Sequence, residues 1–152
     1  MSPRTLFRSV AVAEAITWAL LLAGMYLKYV TETTEILVSV GGALHGFIFL
    51  TYLVSTTFVW VNQRWSTGTG ALGLLAGVIP FATVLFDWQL ERRGKLDGGW
   101  RLAAGKDQPS GAVENLQAWV LRNPLTAALV GIIGVSVVFA ALLIAGPPVP
   151  VG

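Results

Sequence analysis

The chain has 152 residues, of which 55% are hydrophobic and only 12% charged, with a mean hydropathy of +0.70 and a net charge of +2. A soluble domain must cover itself with polar side chains, so this composition excludes an ordinary globular fold and points to the bilayer, where each helical crossing takes roughly 20 apolar residues. The lack of cysteine excludes disulfides, thiolate metal sites, iron–sulfur clusters and cysteine nucleophiles together, and the small charge excludes a nucleic-acid-binding surface.

The first apolar segment runs from about Leu6 to Val30, with Arg8 at one end and Lys28 between Tyr26 and Tyr29 at the other, the amphipathic anchors that membrane interfaces favour. Arg4 and Arg8 ahead of an apolar run also suit a secretion signal. The run from Ser9 to Leu27 is too long for one, carries Glu14 and lacks a small-residue cleavage site, so it reads as a retained crossing. Thr31 to Glu35 make a short polar turn, and the second segment, about Ile36 to Val61, returns antiparallel without an Asp, Glu, Lys or Arg. A third crossing is predicted at about Gly70 to Leu90. It carries Pro80 in its middle, and the missing N–H predicts a kink within one continuous helix.

Residues 91 to 123 form the only sizeable polar stretch, with Arg92, Arg93, Lys95, Arg101, Lys106 and Arg122 against Glu91, Asp97, Asp107 and Glu114. Its second half predicts a surface helix capped by Ser110, since Val113, Leu116, Trp119 and Val120 recur at helical spacing. Asn123 and Pro124 supply an N-cap and a first-turn proline for a fourth crossing, about Pro124 to Ala145, which Gly146-Pro147-Pro148-Val149-Pro150 brings to an end. The predicted architecture is therefore an all-α membrane protein, a four-transmembrane-helix bundle with a polar, partly helical loop before the last helix. Residues 1–93 form a three-helix membrane unit, 94–123 the basic loop with its surface helix, and 124–152 the fourth helix and a short tail.

With three crossings between them, the N-terminus and the basic loop fall on opposite faces, so Arg4 and Arg8 compete with the loop for the cytoplasm. Placing residues 91 to 123 in the cytoplasm puts seven of the ten basic residues there and is preferred.

An ionisable residue inside a span costs roughly 2.5 to 3.5 kcal/mol on insertion scales, so Glu14, His45 and Asp87 are candidate site residues. At about 1.5 Å per residue, Glu14 and Tyr52 both lie about 12 to 13 Å below the face where the chain begins, and His45 and Asp87 both about 25 Å below it. Two polar layers are predicted, Glu14 with Tyr52 and His45 with Asp87. Their functional reading is a proton relay or ligand site, and their structural reading is hydrogen bonding between helices.

Gly42 and Gly46 in the second segment, and Gly73 and Gly77 in the third, are spaced for close helix packing beside Pro80. Trp60, Trp65 and Trp88 read as interface anchors, and Trp18 as a mid-span residue packed on lipid or on another protein. No metal cluster, Gly-rich phosphate loop or serine nucleophile motif is visible. One His and two Met, one of them Met1, make haem ligation by two of the chain's own side chains a poor expectation. No cofactor, no metal and no enzymatic activity are therefore expected.

Several short patterns coincide with these residues: Phe7-Arg8, Glu14, Leu27-Lys28-Tyr29, Gly42 with His45-Gly46 and Tyr52, Val78-Ile79-Pro80-Phe81, and Phe86-Asp87. In this the chain resembles a small integral-membrane family of Gram-positive, particularly actinobacterial, origin that has no assigned function. The resemblance covers about residues 5 to 93. Members usually have three spans, which makes the basic loop and last helix an extension, and Met25-Tyr26 stands where a proline is common. What the resemblance implies is a multi-pass protein of the bacterial cytoplasmic membrane. The expected role is a non-enzymatic accessory or stabilising subunit of a larger membrane complex, with a respiratory-chain assembly as the setting that an actinobacterial origin suggests. Its partners are then the lipid bilayer and other membrane protein subunits, with no nucleic acid. The alternative is a small oligomeric transporter or proton-conducting protein using Glu14, His45 and Asp87.

Overall fold

A computed structural model describes residues 1–145; the Gly146 to Pro150 stop predicted for the last helix lies outside them. The described residues form six helices: α1 (Pro3–Tyr29), α2 (Ile36–Gln63), α3 (Thr67–Ala76), α4 (Ala82–Arg92), α5 (Ala112–Arg122) and α6 (Pro124–Ala145). Local chemistry fixes several of the boundaries. Ser2 caps α1 by accepting from the Thr5 N–H at 3.1 Å, with Pro3 in the first turn, where a missing N–H costs nothing. Arg64 closes α2 in the left-handed conformation (φ 49°), donating its N–H to the Trp60 and Val61 carbonyls, and Ser66 at once caps α3.

Three helices, α1, α2 and α6, are long and apolar enough to cross a membrane. The predicted third crossing is not among them. Where one kinked helix was expected from Gly70 to Leu90, α3 has 10 residues and α4 has 11, each about 15 to 17 Å long or half a bilayer core. Between them the chain reverses. The N–H groups of Gly77, Val78 and Ile79 tighten onto carbonyls three residues back, Pro80 has no N–H to continue the ladder, and Phe81 takes a positive φ of 64° that turns the backbone around.

The side chains prove the reversal. Along α4, Thr83 sits beside Ala11 and Glu14, Asp87 beside Arg8, and Glu91 beside Arg4 and Arg8, so α4 runs antiparallel to α1 and ends level with its start. The end of α4 also returns to the start of α3: Lys95 Nζ donates to Thr69 Oγ1 at 2.9 Å, and Trp65 Nε1 donates to the Lys95 carbonyl at 2.9 Å. A helical hairpin thus enters and leaves the bundle at one end, with its tip at residues 77–81.

One consequence is that the N-terminus and residues 93–123 lie at the same end, not at opposite ends as three crossings would require. Of the ten Lys and Arg residues, only Lys28 lies at the other end.

The core sits at this shared end. Phe7 of α1 is fully buried, its ring 5.9 Å from Tyr52 and edge-on to Trp65 and Phe86 at 5.8 and 6.2 Å. Trp65, predicted as an interface anchor, belongs to this cluster instead. Residues 93–111 fold back over it, burying Leu96 and Leu102. Arg101 there caps α2, its guanidinium donating to the Asn62 carbonyl at 3.3 Å while its backbone N–H donates to Asn62 Oδ1 at 2.8 Å.

The surface helix α5 begins at Gly111, in a positive-φ conformation (88°), rather than at a Ser110 cap. Ser110 instead gives its N–H and hydroxyl to the Glu114 carboxylate at 2.8 and 3.0 Å. Asn123 likewise spends its amide on the Trp119 carbonyl (3.0 Å), leaving Pro124 to start α6. α6 buries none of its residues and meets α2 where Phe139 covers Gly46 and stacks edge-on with Phe47 at 6.1 Å.

The closest backbone approach between α1 and α2 uses a glycine outside the predicted set: a methyl group at Gly24 would sit 2.5 Å from the Val38 nitrogen. Gly42 meets only the Leu21 side chain at ordinary contact distance.

Candidate functional site

α1 turns Ala11, Glu14 and Thr17 inward at the spacing of one helix face, and all three are buried. Opposite them stand α4 and the hairpin tip on one side and the middle of α2 on the other. The polar side chains expected to form two cross-membrane layers are here, but paired differently.

Glu14 faces Thr83, not Tyr52. The Thr83 hydroxyl lies 2.9 Å from Glu14 Oε2 and 3.0 Å from the Ala11 carbonyl oxygen. The single hydroxyl proton is shared between these two acceptors, so Thr83 ties the Glu14 carboxyl and the Ala11 carbonyl together. The second Glu14 oxygen, Oε1, has no partner and is buried.

His45 faces Thr17, not Asp87. Its Nδ1 is 3.1 Å from Thr17 Oγ1, which is also 2.9 Å from the Glu14 carbonyl oxygen. Thr17 donates to that carbonyl, and the direction of its contact with His45 Nδ1 is set by the imidazole tautomer. The ring packs on Trp18 at 4.4 Å, and the Trp18 indole N–H reaches the Gly77 carbonyl at 3.3 Å. Trp18 therefore packs against the protein's own hairpin tip.

Tyr52 is fully buried and donates its hydroxyl to the Gly73 carbonyl at 2.8 Å. Gly73 of α3 and Gly77 at its C-cap admit α2: Thr56 of α2 and Phe86 of α4 press on Gly73, and the Tyr52 and Phe49 rings lie about 3 Å from where a Gly77 methyl would be. Asp87, 6% exposed, accepts from Arg8 Nε at 3.0 Å, and Glu91 receives both Arg4 and Arg8. The predicted His45 with Asp87 layer fails because it assumed a crossing; on the returning α4, Asp87 ends level with Arg8 instead. Asp87 Oδ1 is buried without a partner.

A second polar centre, on the loop, escaped the sequence reading. Arg101 donates to Glu114 Oε1 at 2.6 Å and lies 3.7 Å from Asp107. The Arg101 guanidinium and then the Ser110 N–H hold the Glu114 carboxyl well below its ordinary 4.5, at about 2.

Sequence reasoning also missed Arg8, Thr17, Thr83 and Gly24 as contributors. Thr83 and Asp87 do share one face of α4 at i, i+4, but which helix that face meets depends on the reversal at Phe81. Among the described residues, no three His, Asp or Glu side chains come together in a cluster able to hold a metal.

Residues 4–92, which end with α4, match a family described as a domain of unknown function (DUF3817). A Streptomyces coelicolor membrane protein, SCO5905, is 47% identical over 91 residues, covering 59% of this chain and 11% of that protein. An uncharacterized Bacillus subtilis membrane protein, YdzA, is 31% identical over 68 residues, covering 45% of this chain and 70% of that one. The matched region thus spans about a tenth of the Streptomyces relative's length. No solved structure matches.

Proposed function

The chain belongs to the DUF3817 family, a membrane-protein family of unknown function, and from that premise we propose that it is a non-enzymatic accessory or stabilising subunit of a larger bacterial membrane complex. One observation carries this reading. The hairpin is locked to α1 and α2 by its own polar contacts, Thr83 to Ala11 and Glu14, Tyr52 to Gly73 and Trp18 to Gly77, while its outer side exposes large apolar residues. Leu72, Leu75, Val78, Ile79, Leu85 and Trp88 are all more than half exposed. Polar groups turned inward and a rigid apolar exterior suit a protein that packs against other helices. The Streptomyces relative adds support, since there the same unit is a small part of a long polypeptide. A respiratory-chain assembly is the first complex in which to look.

The accompanying topology is a multi-pass protein of the cytoplasmic membrane with three crossings, α1, α2 and α6, and a re-entrant α3–α4 hairpin. Nine of ten basic residues at the end shared by the N-terminus and residues 93–123 support a cytoplasmic position for that end.

A second reading, a small oligomeric transporter or proton-conducting protein using Glu14, His45 and Asp87, has its own support: the unpartnered Glu14 Oε1 and Asp87 Oδ1 mark places where a proton or ligand could be held, and His45 meets Thr17 one turn from Glu14.

Gentle detergent extraction of the tagged protein from its own membranes, followed by native-gel separation and mass spectrometry, tests both. Stoichiometric recovery in a large complex is the expected result. Migration alone or as a small homo-oligomer, together with loss of proton flux in Glu14→Gln or His45→Ala vesicles, would establish the second reading instead.

A further inference from the structure

Beneath the surface helix α5 lies a groove of about 520 Å³, walled by α2 (Leu53, Val54, Phe58) and by α6 (Ala127, Val130, Gly131) and roofed by Leu116, Gln117 and Trp119 of α5. It lies apart from the Glu14 and His45 contacts, with its α2 wall inside the matched residues 4–92 and its α5 and α6 sides beyond them. We propose that this groove is a lipid site that holds one acyl chain of an anionic glycerophospholipid from the cytoplasmic leaflet.

Depth is the first argument. The α2 wall runs from Val61 to Leu53, two to ten residues before the helix ends at Gln63, which is about 3 to 15 Å below that end. The α6 wall begins three residues after Pro124. The groove therefore spans one leaflet of a core about 30 Å thick, the depth an acyl chain occupies.

The second argument is the chemistry of the two ends. The walls are almost wholly apolar. At the roof, Gln117 is 2% exposed and clamps α5 to α2 by donating Nε2 to the Phe58 carbonyl at 2.7 Å, and its Oε1 is left without a donor, which a headgroup hydroxyl or amine supplies. Exposed Arg122 stands at the end of α5, two residues beyond the groove-lining Val120, at the level of a phosphate. The whole end is basic, so an anionic headgroup is favoured over a zwitterionic one.

Two glycines of α6 make the test specific. A side chain added at Gly131 meets nothing within 4 Å and enters the groove; one added at Gly134 also meets nothing but does not line it. The full chain is purified in mild detergent, exchanged with phosphatidylglycerol or phosphatidylcholine, and the retained lipid is counted by native mass spectrometry, with circular dichroism to report folding. The expected result is one retained phosphatidylglycerol per chain, at least tenfold less in Gly131→Leu, unchanged in Gly134→Leu, and equal retention of both lipids in Arg122→Gln. Retention lost equally in both glycine variants, retention insensitive to Gly131→Leu, or equal retention of the two lipids by the unaltered chain as an adventitious additive only would overturn the proposal. Because the count is made on the isolated chain, it does not depend on whether a larger complex is found.

Discussion

Arg8 of α1 and Asp87 of α4, 79 residues apart in sequence, meet through Nε and Oδ2 at 3.0 Å. That contact fixes the architecture. Arg8 lies in the second turn of α1, so Asp87 can reach it only if α4 has come back to the end of the bundle where the chain began.

The absence of cysteine offers a clean test of this return, since a single introduced thiol is the only one present. Lys106→Cys and Ser2→Cys should react with a membrane-impermeant maleimide only in inverted vesicles, both from the same side. Ile79→Cys, at the hairpin tip, should be protected in either orientation. Labelling of Ile79→Cys from the periplasmic side would mean that the third segment crosses after all.

Thr83→Val removes the hydroxyl that bonds the Glu14 carboxyl while conserving volume. Leaving the carboxyl and the Ala11 carbonyl without it should cost about 1 to 3 kcal/mol, read as a lowered melting temperature in detergent, and Thr83→Ser should recover most of the loss. Equal melting of Val and Ser variants would remove the hydrogen bond from the account.

At Gly24 the backbone of α2 is in contact, so Gly24→Val must push α1 from α2, with a loss of about 1 to 3 kcal/mol or more. Gly68, at the exposed start of α3, has open space where a methyl would go, and Gly68→Ala should be neutral or stabilise by about 0.5 to 1 kcal/mol. The contrast is read by thermal unfolding of the two variants side by side.

Glu114 is held at about 2 by Arg101 and Ser110, below its ordinary 4.5. A depressed carboxyl stabilises the fold above its unfolded value and loses that contribution as pH falls through the folded one. The tether between α5 and residues 93–111 should therefore hold at pH 5 and above and loosen between about 4.5 and 2. Hydrogen exchange across residues 110–118 should show it, and Arg101→Gln should move the loosening up towards 4.5.

Hydropathy and capping signals were enough to place α1, α2 and α6 within a few residues, because a long apolar stretch bounded by polar turns or prolines has few alternatives in a bilayer. The amphipathic α5 was legible for a related reason: Val113, Leu116 and Val120 repeat with the helical period. The inward polar residues were also legible as a set, since Glu14, His45 and Asp87 are costly wherever they lie in lipid.

Their partners were not, because pairing depends on chain direction. A stretch of about 20 apolar residues from Gly70 to Leu90 has the same composition whether it crosses once or enters and returns, and Pro80 announces a break without its angle. Only the tertiary structure decided between these. The positive φ at Phe81 and the seating of Thr83 and Asp87 on α1 reverse the chain, so Asp87 meets Arg8, His45 is left to Thr17, and nine of the ten cations gather at one end.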